Sequence, residues 1–212
     1  AHALPTVFPK AAIDQAEQAQ PATLGRRTDL RDVALITIDP RDARDHDDAI
    51  HAEPDSDPAN PGGWVLTVAI ADVAHYVRPD SALDKAARER GNSAYFPDQV
   101  VPMLPEALST DLCSLMPGED RACMAVRIWI DRDGHKRRHR FMRALMRSAA
   151  NLTYEDAQFA ADGHDDGTVG EALTETVVKP LFAAHQALAR ARAARQPLDL
   201  DMPEKKIELD EA

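Results

Sequence analysis

The segment VALITIDPRDARDHDDAI, residues 33–50, passes from an apolar run through an acidic turn and directly back to apolar residues. Its two apolar ends, Val33–Ile38 and Ala49–Ala52, predict a buried strand before the turn and a short strand after it. A third and longer strand is predicted for the β-branched run Trp64–Ala71. These segments indicate a core that begins near Asp29 with a hairpin-like arrangement.

Further along the chain, helical patterns alternate with extended ones. Ser81 is a good N-cap and Gly91 a good terminator for a helix between them. The prolines from Tyr95 to Pro105 argue against regular structure, so we expect that segment to run extended over other elements. The pattern as a whole indicates an α+β fold, with helices packed on a mixed or antiparallel sheet. Two further strands are predicted, Met124–Ile130 and Arg138–Met146, joined by the turn Asp131–Gly134. Two further helices are predicted, Thr153–Ala160 and Glu171–Arg195.

The two ends of the chain have a different character from its centre. Residues 1–28 are interpreted as a lead-in arm that carries a short helix, Ala11–Gln20, between prolines. Residues 29–212 are interpreted as one domain that is incomplete at its C-terminus. Lys205–Leu209 alternates like a strand whose partner should follow, and the first residue is not methionine. We therefore expect a fragment that self-associates through an unpaired strand near Ile207.

Composition narrows the class of protein. With 212 residues, 44% of them hydrophobic and 29% charged, the chain is ordinary for a globular protein. No apolar run approaches the length of a membrane span, and the N-terminus lacks the regions of a secretion signal, so we expect a cytoplasmic location and no membrane partner. Cys113 and Cys123 lack a partner motif and are interpreted as core thiols, not as disulfide or zinc ligands.

The acidic turn is the strongest candidate site. Asp39, Asp45, Asp47 and Asp48 lie close together in sequence, and carboxylates this close repel one another unless a cation neutralises them. Oxygen ligands suit Mg²⁺, or Mn²⁺ as a substitute, better than zinc. An Asp-rich turn is more commonly just solvated. The direct apolar flanks favour a metal site, because they place the acids between packed elements.

Other hydrolytic chemistries lack their motifs. The sequence contains no nucleophile elbow, no phosphate-cradling glycine loop and no zinc-protease motif. Two divalent ions about 3.5–4 Å apart could instead support phosphodiester cleavage. In an extended chain Asp45 and Asp47 share one face, whereas Asp48 points to the other. We interpret His46 as a supporting or exposed residue, not as a ligand.

The formal charge of −11 argues against nucleic-acid binding, but the distribution of charge weakens that argument. A basic stripe could contact RNA, or it could be the solvated face of an edge strand, and both interpretations remain open. The stripe consists of Lys136, Arg137, Arg138, Arg140, Arg143 and Arg147.

Several ordered motifs resemble the catalytic (RNB) domain of the ribonuclease II and ribonuclease R superfamily, most closely the ribonuclease R branch. The resemblance runs from about Arg27 to near the C-terminus. Its motifs are Thr37–Asp39 with Ala43–Ala49, Val68–Val77, Tyr95–Pro97, Pro102–Pro105, Leu108–Ser109, Leu112–Leu115 and Asp120–Arg121.

The resemblance implies processive hydrolysis of single-stranded RNA, or of structured RNA with a 3′ overhang, from its 3′ end to nucleoside 5′-monophosphates. It also implies Mg²⁺ in a buried site at the end of a narrow channel. By position, the four aspartates match the family's acidic residues, with metal held by all four and catalysis assigned to Asp47 and Asp48. Tyr95 matches an aromatic residue near the terminal nucleotide, and Arg44 could contact phosphate or simply balance charge.

The same resemblance implies that much is missing. Family members carry oligonucleotide-binding domains on both flanks, and their catalytic domain continues with an arginine-bearing motif and a further acidic residue. We therefore expect reduced or no activity from this chain alone. Two alternatives remain: a non-catalytic RNA-binding or interaction fragment with a vestigial acidic cluster, and an unrelated metal-dependent phosphohydrolase acting on small substrates.

Overall fold

The computed structural model describes residues 5–96, 99–164 and 166–198. Within these ranges the chain forms nine strands, six α-helices and two π-helical turns. The strands are β1 Thr28–Leu30, β2 Ile36–Asp39, β3 Asp48–Pro54, β4 Trp64–Ala71, β5 Ala94–Tyr95, β6 Val100–Val101, β7 Asp120–Ile130, β8 Lys136–Arg147 and β9 Ala150–Thr153. The helices are α1 Lys10–Glu17, α2 Val73–Tyr76, α3 Ala82–Arg90, α4 Tyr154–Ala161, α5 Glu171–Leu173 and α6 Lys179–Ala194, with π-helical turns at Ala107–Leu112 and Thr174–Val178.

Seven of the strands form one mixed sheet in the order β1-β8-β7-β4-β3-β2-β9. Its centre is antiparallel, since β3, β4, β7 and β8 pair in succession with long registers. Parallel pairs occur at the two ends, where β1 joins β8 and β2 joins β9. The predicted α+β fold, a mixed or antiparallel sheet with helices packed on it, is confirmed.

Local sequence signals correspond closely to several elements. Strand β4 spans the predicted run Trp64–Ala71. Helix α3 begins after Ser81, whose side chain accepts a hydrogen bond from the Asp84 amide, and ends at Gly91 with a φ of 82°. Helix α4 follows a capping box in which Thr153 and Asp156 bond each other's backbone amides.

Three predicted segments differ from the structure. The proline-rich segment is not wholly irregular, because Ala94–Tyr95 pairs with Val100–Val101 in a small antiparallel sheet. Pro102 follows this pairing, so it removes no donor from it. Val33–Leu35 lies outside the strand: the Val33 amide bonds the Leu30 carbonyl at 3.1 Å and closes the preceding turn, and the strand begins only at Ile36. The predicted helix Glu171–Arg195 is interrupted by the second π-helical turn.

Helices cover both faces of the sheet. On one face α1, α3 and the first π-helical turn pack against the sheet, and Ala12 and Ala16 of α1 are buried there. On the other face α4, the second π-helical turn and α6 pack against Ile36, Ala52 and Leu152. A Cβ at Gly134 would lie 2.1 Å from the Ala187 carbonyl oxygen, so only glycine lets the β7–β8 turn approach α6 this closely.

The possible strand Lys205–Leu209, the proposed self-association near Ile207, Pro97 and Asp165 all lie outside the described residues. Among the helices of the described ranges, none has both the length and the apolar character needed to cross a bilayer.

Candidate metal and RNA site

The four aspartates occupy the connection between two neighbouring strands. Asp39 is the last residue of β2, and Asp48 is the first residue of β3. Asp45 and Asp47 lie in the loop between them, which turns at Pro40 through a bond from the Ala43 amide. We call residues 39–48 the acidic loop. Because β2 and β3 pair side by side, the two ends of the acidic loop meet where β2 ends and β3 begins.

Backbone hydrogen bonds fix the second half of the acidic loop. The Leu115 amide donates to the His46 carbonyl at 2.8 Å, and the Ala71 amide donates to the Asp47 carbonyl at 2.9 Å. The His46 amide donates to the hydroxyl of Ser114 at 3.1 Å. The loop is thus held against the end of β4 and the chain that follows the first π-helical turn.

His46 connects the loop to its first aspartate. Its Nδ1 lies 2.7 Å from Oδ2 of Asp39 and 3.4 Å from the hydroxyl of Thr37, which is buried. Both the His46 and Asp39 side chains are largely shielded from solvent. This contact orients the Asp39 carboxylate and uses one of its oxygens, which agrees with the interpretation of His46 as a supporting residue.

Asp47 and Asp48 are electrostatically uncompensated. The pKa of Asp47 is raised, mainly by desolvation and then by the charges of Asp45, Asp48 and Asp39, although His46 opposes the shift. The pKa of Asp48 is raised by desolvation and by Asp39. Both side chains still reach solvent, so this desolvation comes from surrounding protein and not from full enclosure. Neither carboxylate pairs with a lysine or arginine of the described chain.

This donor set suits a hard divalent cation, because it consists of carboxylate oxygens whose repulsion a cation would relieve. The arrangement is not yet convergent, since no three His, Cys, Asp or Glu side chains within the described ranges are positioned to hold a metal ion together. Asp47 and Asp48 are exposed and can change rotamer without repacking the core. The residues fit such an ion in chemistry and location, and binding would require their side chains to reorient.

Tyr95 and Arg44 border the acidic loop. The Tyr95 hydroxyl donates to Oδ2 of Asp45 at 3.2 Å, while the residue remains 66% exposed. The ring therefore offers an open aromatic surface next to a carboxylate. The Arg44 side chain is also exposed. The structure thus places all six predicted site residues in or next to one loop.

Sequence reasoning assigned no role to Arg121 and Ser114, although both lie in the motifs of the resemblance. Arg121 is only 6% exposed and donates from Nε to the Ser114 carbonyl at 3.0 Å. It also pairs with Asp111 at 2.8 Å and Glu119 at 3.3 Å. Ser114 in turn contacts His46, so Arg121 supports the acidic loop through one intervening residue.

Replacing Arg121 with Ala is expected to lower the free energy of unfolding by about 1–3 kcal/mol, because buried carbonyl acceptors lose their donor. Chemical denaturation of this chain would measure the loss. Arg137→Ala is the matched control, since Arg137 is an exposed arginine whose hydrogen bond in the described part of the chain goes to the Ala59 carbonyl alone. Equal stability of the two variants would show that the Arg121 contacts do not support the fold.

Comparison with known proteins gives a consistent family. The RNB domain model matches residues 27–212. Ribonuclease R of Vibrio parahaemolyticus is 43% identical over 97% of this chain and 25% of that protein. The structure of Mycoplasma genitalium RNase R in complex with double-stranded RNA matches 97% of this chain and 36% of that chain, with a TM-score of 0.87 and 32% identity.

A more distant structure shares the fold alone. Yeast Ssd1, described as a pseudonuclease, matches 84% of this chain and 21% of that chain, with a TM-score of 0.65 and 20% identity. The chain spans 25% of the length of the ribonuclease R proteins of Vibrio parahaemolyticus and Escherichia coli. The motif-based resemblance is confirmed, and the chain belongs to the RNB domain family.

Proposed function

We propose that this chain is part of the catalytic domain of a metal-dependent 3′-to-5′ exoribonuclease, which degrades single-stranded RNA processively to nucleoside 5′-monophosphates. The observation that carries the proposal is the acidic loop, where Asp47 and Asp48 have raised pKa values and, among the described residues, no lysine or arginine partner. Membership of a family whose relatives include ribonucleases R supports RNA as the substrate.

Asp39, Asp45, Asp47 and Asp48 are the residues that would hold Mg²⁺, with Mn²⁺ as a substitute. A bound divalent cation would supply activation of water and stabilisation of charge on the phosphate. The chain's own contribution is to concentrate negative charge between the end of β2 and the start of β3, and to fix the backbone of the acidic loop. His46 keeps the Asp39 carboxylate oriented. Asp47 and Asp48 are the proposed catalytic residues.

Tyr95 and Arg44 would bind RNA. The exposed Tyr95 ring could stack on the terminal base, and its bond to Asp45 would keep that base next to the acidic loop. The Arg44 guanidinium could contact a phosphate as the strand enters. Single-stranded RNA, or structured RNA with a 3′ overhang, is the proposed partner. Flanking oligonucleotide-binding domains and a cytoplasmic location belong to the same proposal.

Release of nucleoside 5′-monophosphates from a 3′-accessible single-stranded RNA with Mg²⁺ tests this function. If this chain already holds a working site, we expect stepwise shortening that chelator abolishes. If it is inactive alone, adding the remaining part of a related RNB domain in trans should restore cleavage. No cleavage in either arrangement would overturn the proposal.

A non-catalytic RNA-binding role is the second candidate. It is favoured by the absence of three converged ligands in the described chain. In that case the acidic loop would be vestigial, and Asp48→Asn would leave every measurable property of an RNA complex unchanged. Metal-dependent cleavage by the complemented chain would exclude this alternative.

A further inference from the structure

One surface outside the acidic loop concentrates arginine on the open part of a sheet face. It consists of Arg127 and Trp129 on β7 with Arg138 and Arg140 on β8, and we call it the arginine platform. Arg127 lies directly opposite Arg140, and Trp129 lies directly opposite Arg138. Opposed residues in an antiparallel pair share one face with Cβ atoms about 5 Å apart. The four side chains therefore form a compact block.

The arginine platform is distinct from the acidic loop. The row of cross-strand neighbours that contains Arg127 continues to Thr67 on β4, which is opposite Arg127, and to His51 on β3, which is opposite Thr67. His51 follows Asp48 by three residues, about 10 Å along the strand. Successive side chains alternate between faces, so His51 and the platform lie on the face opposite to the Asp48 side chain.

The arginines of the platform have no ion-pair partner among the described residues. Like charges directly opposite each other in a sheet are unfavourable, yet Arg127 faces Arg140. Within the described residues, Arg127, Arg138 and Arg140 form no ion pair, although Arg27, Arg31, Arg121, Arg143 and Arg147 all do. The chain carries a net charge of −11, so carboxylates are abundant. Three arginines without an ion pair among the described residues therefore lie together on one face.

Polar atoms under this surface also lack partners. Nε of Arg127 and Nδ1 of His51 are buried with no hydrogen-bond partner among the described residues. Burial lowers the pKa of His51, and the nearby Arg127 lowers it further, while Glu53 opposes the shift. His51 thus adds no charge at neutral pH but keeps hydrogen-bonding capacity. An anion above the row would reduce the repulsion between the arginines.

Trp129 gives the surface an aromatic element. The Arg138 guanidinium lies over the Trp129 ring at 4.0 Å from its centroid. This cation–π contact holds the Arg138 guanidinium over the indole, and Arg138 remains exposed to solvent. Flat guanidinium and indole groups are surfaces on which unpaired bases stack.

Two carboxylates lie at the margin of the platform. Glu53 lies two residues after His51 on β3, on the same face, and is opposite Val65. Asp55 accepts a hydrogen bond from Asn60 at 2.8 Å, and the charges of Arg138 and Arg137 help to lower its pKa. Neither acid lies within ion-pair distance of a platform arginine among the described residues. They would border an anionic ligand and limit its extent on this side.

We propose that the arginine platform is a second RNA-binding surface, which takes the phosphates and unpaired bases of a single strand away from the acidic loop. The guanidiniums of Arg127, Arg138 and Arg140, which have no ion pair among the described residues, would bind phosphates. The Arg138–Trp129 pair would stack on a base. An acidic protein segment would also pair with the arginine charges, but it has no bases to stack on the Arg138–Trp129 pair. The surface would retain RNA independently of cleavage, and its RNA binding needs no metal.

Fluorescence anisotropy with a labelled oligouridylate tests the proposal, using this chain in the presence of chelator. The variant carries Arg127→Ala, Arg138→Ala and Arg140→Ala. We expect its affinity to fall by about tenfold or more, and the slope of log affinity against log salt to shrink by about 2. Chelator removes any metal-dependent binding, so the result is separable from failure of the proposed nuclease function.

A matched control carries Arg88→Ala, Arg192→Ala and Arg195→Ala, which removes the same charge from exposed sites elsewhere. This control should keep its affinity within about twofold if the arginine platform is a defined site. Arg140→Ala alone, at an exposed position, should weaken binding even if the triple variant folds poorly. Equal losses of RNA affinity in the two triple variants would overturn the proposal. So would an RNA affinity that the platform variant leaves unchanged, together with binding of oligoglutamate to the platform.

Discussion

Replacing Asp48 with Asn in an active protein that contains this domain is expected to abolish RNA cleavage, with a loss of at least about 10²-fold in turnover. The substitution keeps the size of the side chain and removes one of the two carboxylates with raised pKa values. RNA affinity should stay nearly unchanged, because Tyr95, Arg44 and the arginine platform are intact. Single-turnover cleavage and anisotropy on the same RNA would separate the two effects.

Asp57→Asn is the matched control for this prediction. Asp57 is an exposed aspartate whose carboxylate accepts a bond from the Ala59 amide in the loop between β3 and β4. It changes the same charge outside the acidic loop, so its turnover should equal that of the unsubstituted protein. Unchanged turnover in the Asp48 variant would sink the assignment of the acidic loop as the catalytic site.

Arg27→Ala is expected to cause the largest loss of stability. Arg27 forms an ion pair with Asp72 at 2.8 Å, and the two side chains are 10% and 3% exposed. Removing one partner of a buried pair leaves an uncompensated charge and costs about 3–5 kcal/mol. Arg143 lies 3.7 Å from the same Asp72 oxygen, so we expect the lower part of that range. Urea denaturation of the chain would measure the change.

The neighbouring Arg26→Ala provides the control, because Arg26 is exposed and should contribute little. Adding Asp72→Asn to the Arg27 variant removes the unpaired charge and should recover part of the loss. A decrease below about 1 kcal/mol for Arg27→Ala would mean that solvent or Arg143 already compensates Asp72.

Elements encoded by neighbouring residues were predictable from the sequence. Strand β4 follows from its β-branched run, and α3 follows from the cap at Ser81 and the terminator at Gly91. The β5–β6 pairing was missed because proline content outweighed the few residues that pair. The π-helical turn at Thr174–Val178 has no sequence signature that separates it from an ordinary helix.

The acidic loop was predictable as a group of residues but not as an arrangement. Its aspartates are close in sequence, and the strands on both sides bring its ends together. Its supports come from distant segments: Ser114 lies 68 residues from His46 and reaches its backbone amide. Arg121 contributes through Ser114, which no local pattern reveals. The arginine platform likewise depends on the β7–β8 register, although the basic stripe on β8 was visible in the sequence.

Titration of Mn²⁺ into this chain, beside its Asp48→Asn and Asp57→Asn variants, tests most directly whether the acidic loop is a divalent-metal site. Calorimetry or electron paramagnetic resonance would report the bound ion. We expect saturable binding by the unsubstituted chain and by the Asp57 variant, and binding weakened at least about tenfold by Asp48→Asn. Equal affinity in all three proteins, or no binding by the unsubstituted chain, would contradict the metal site.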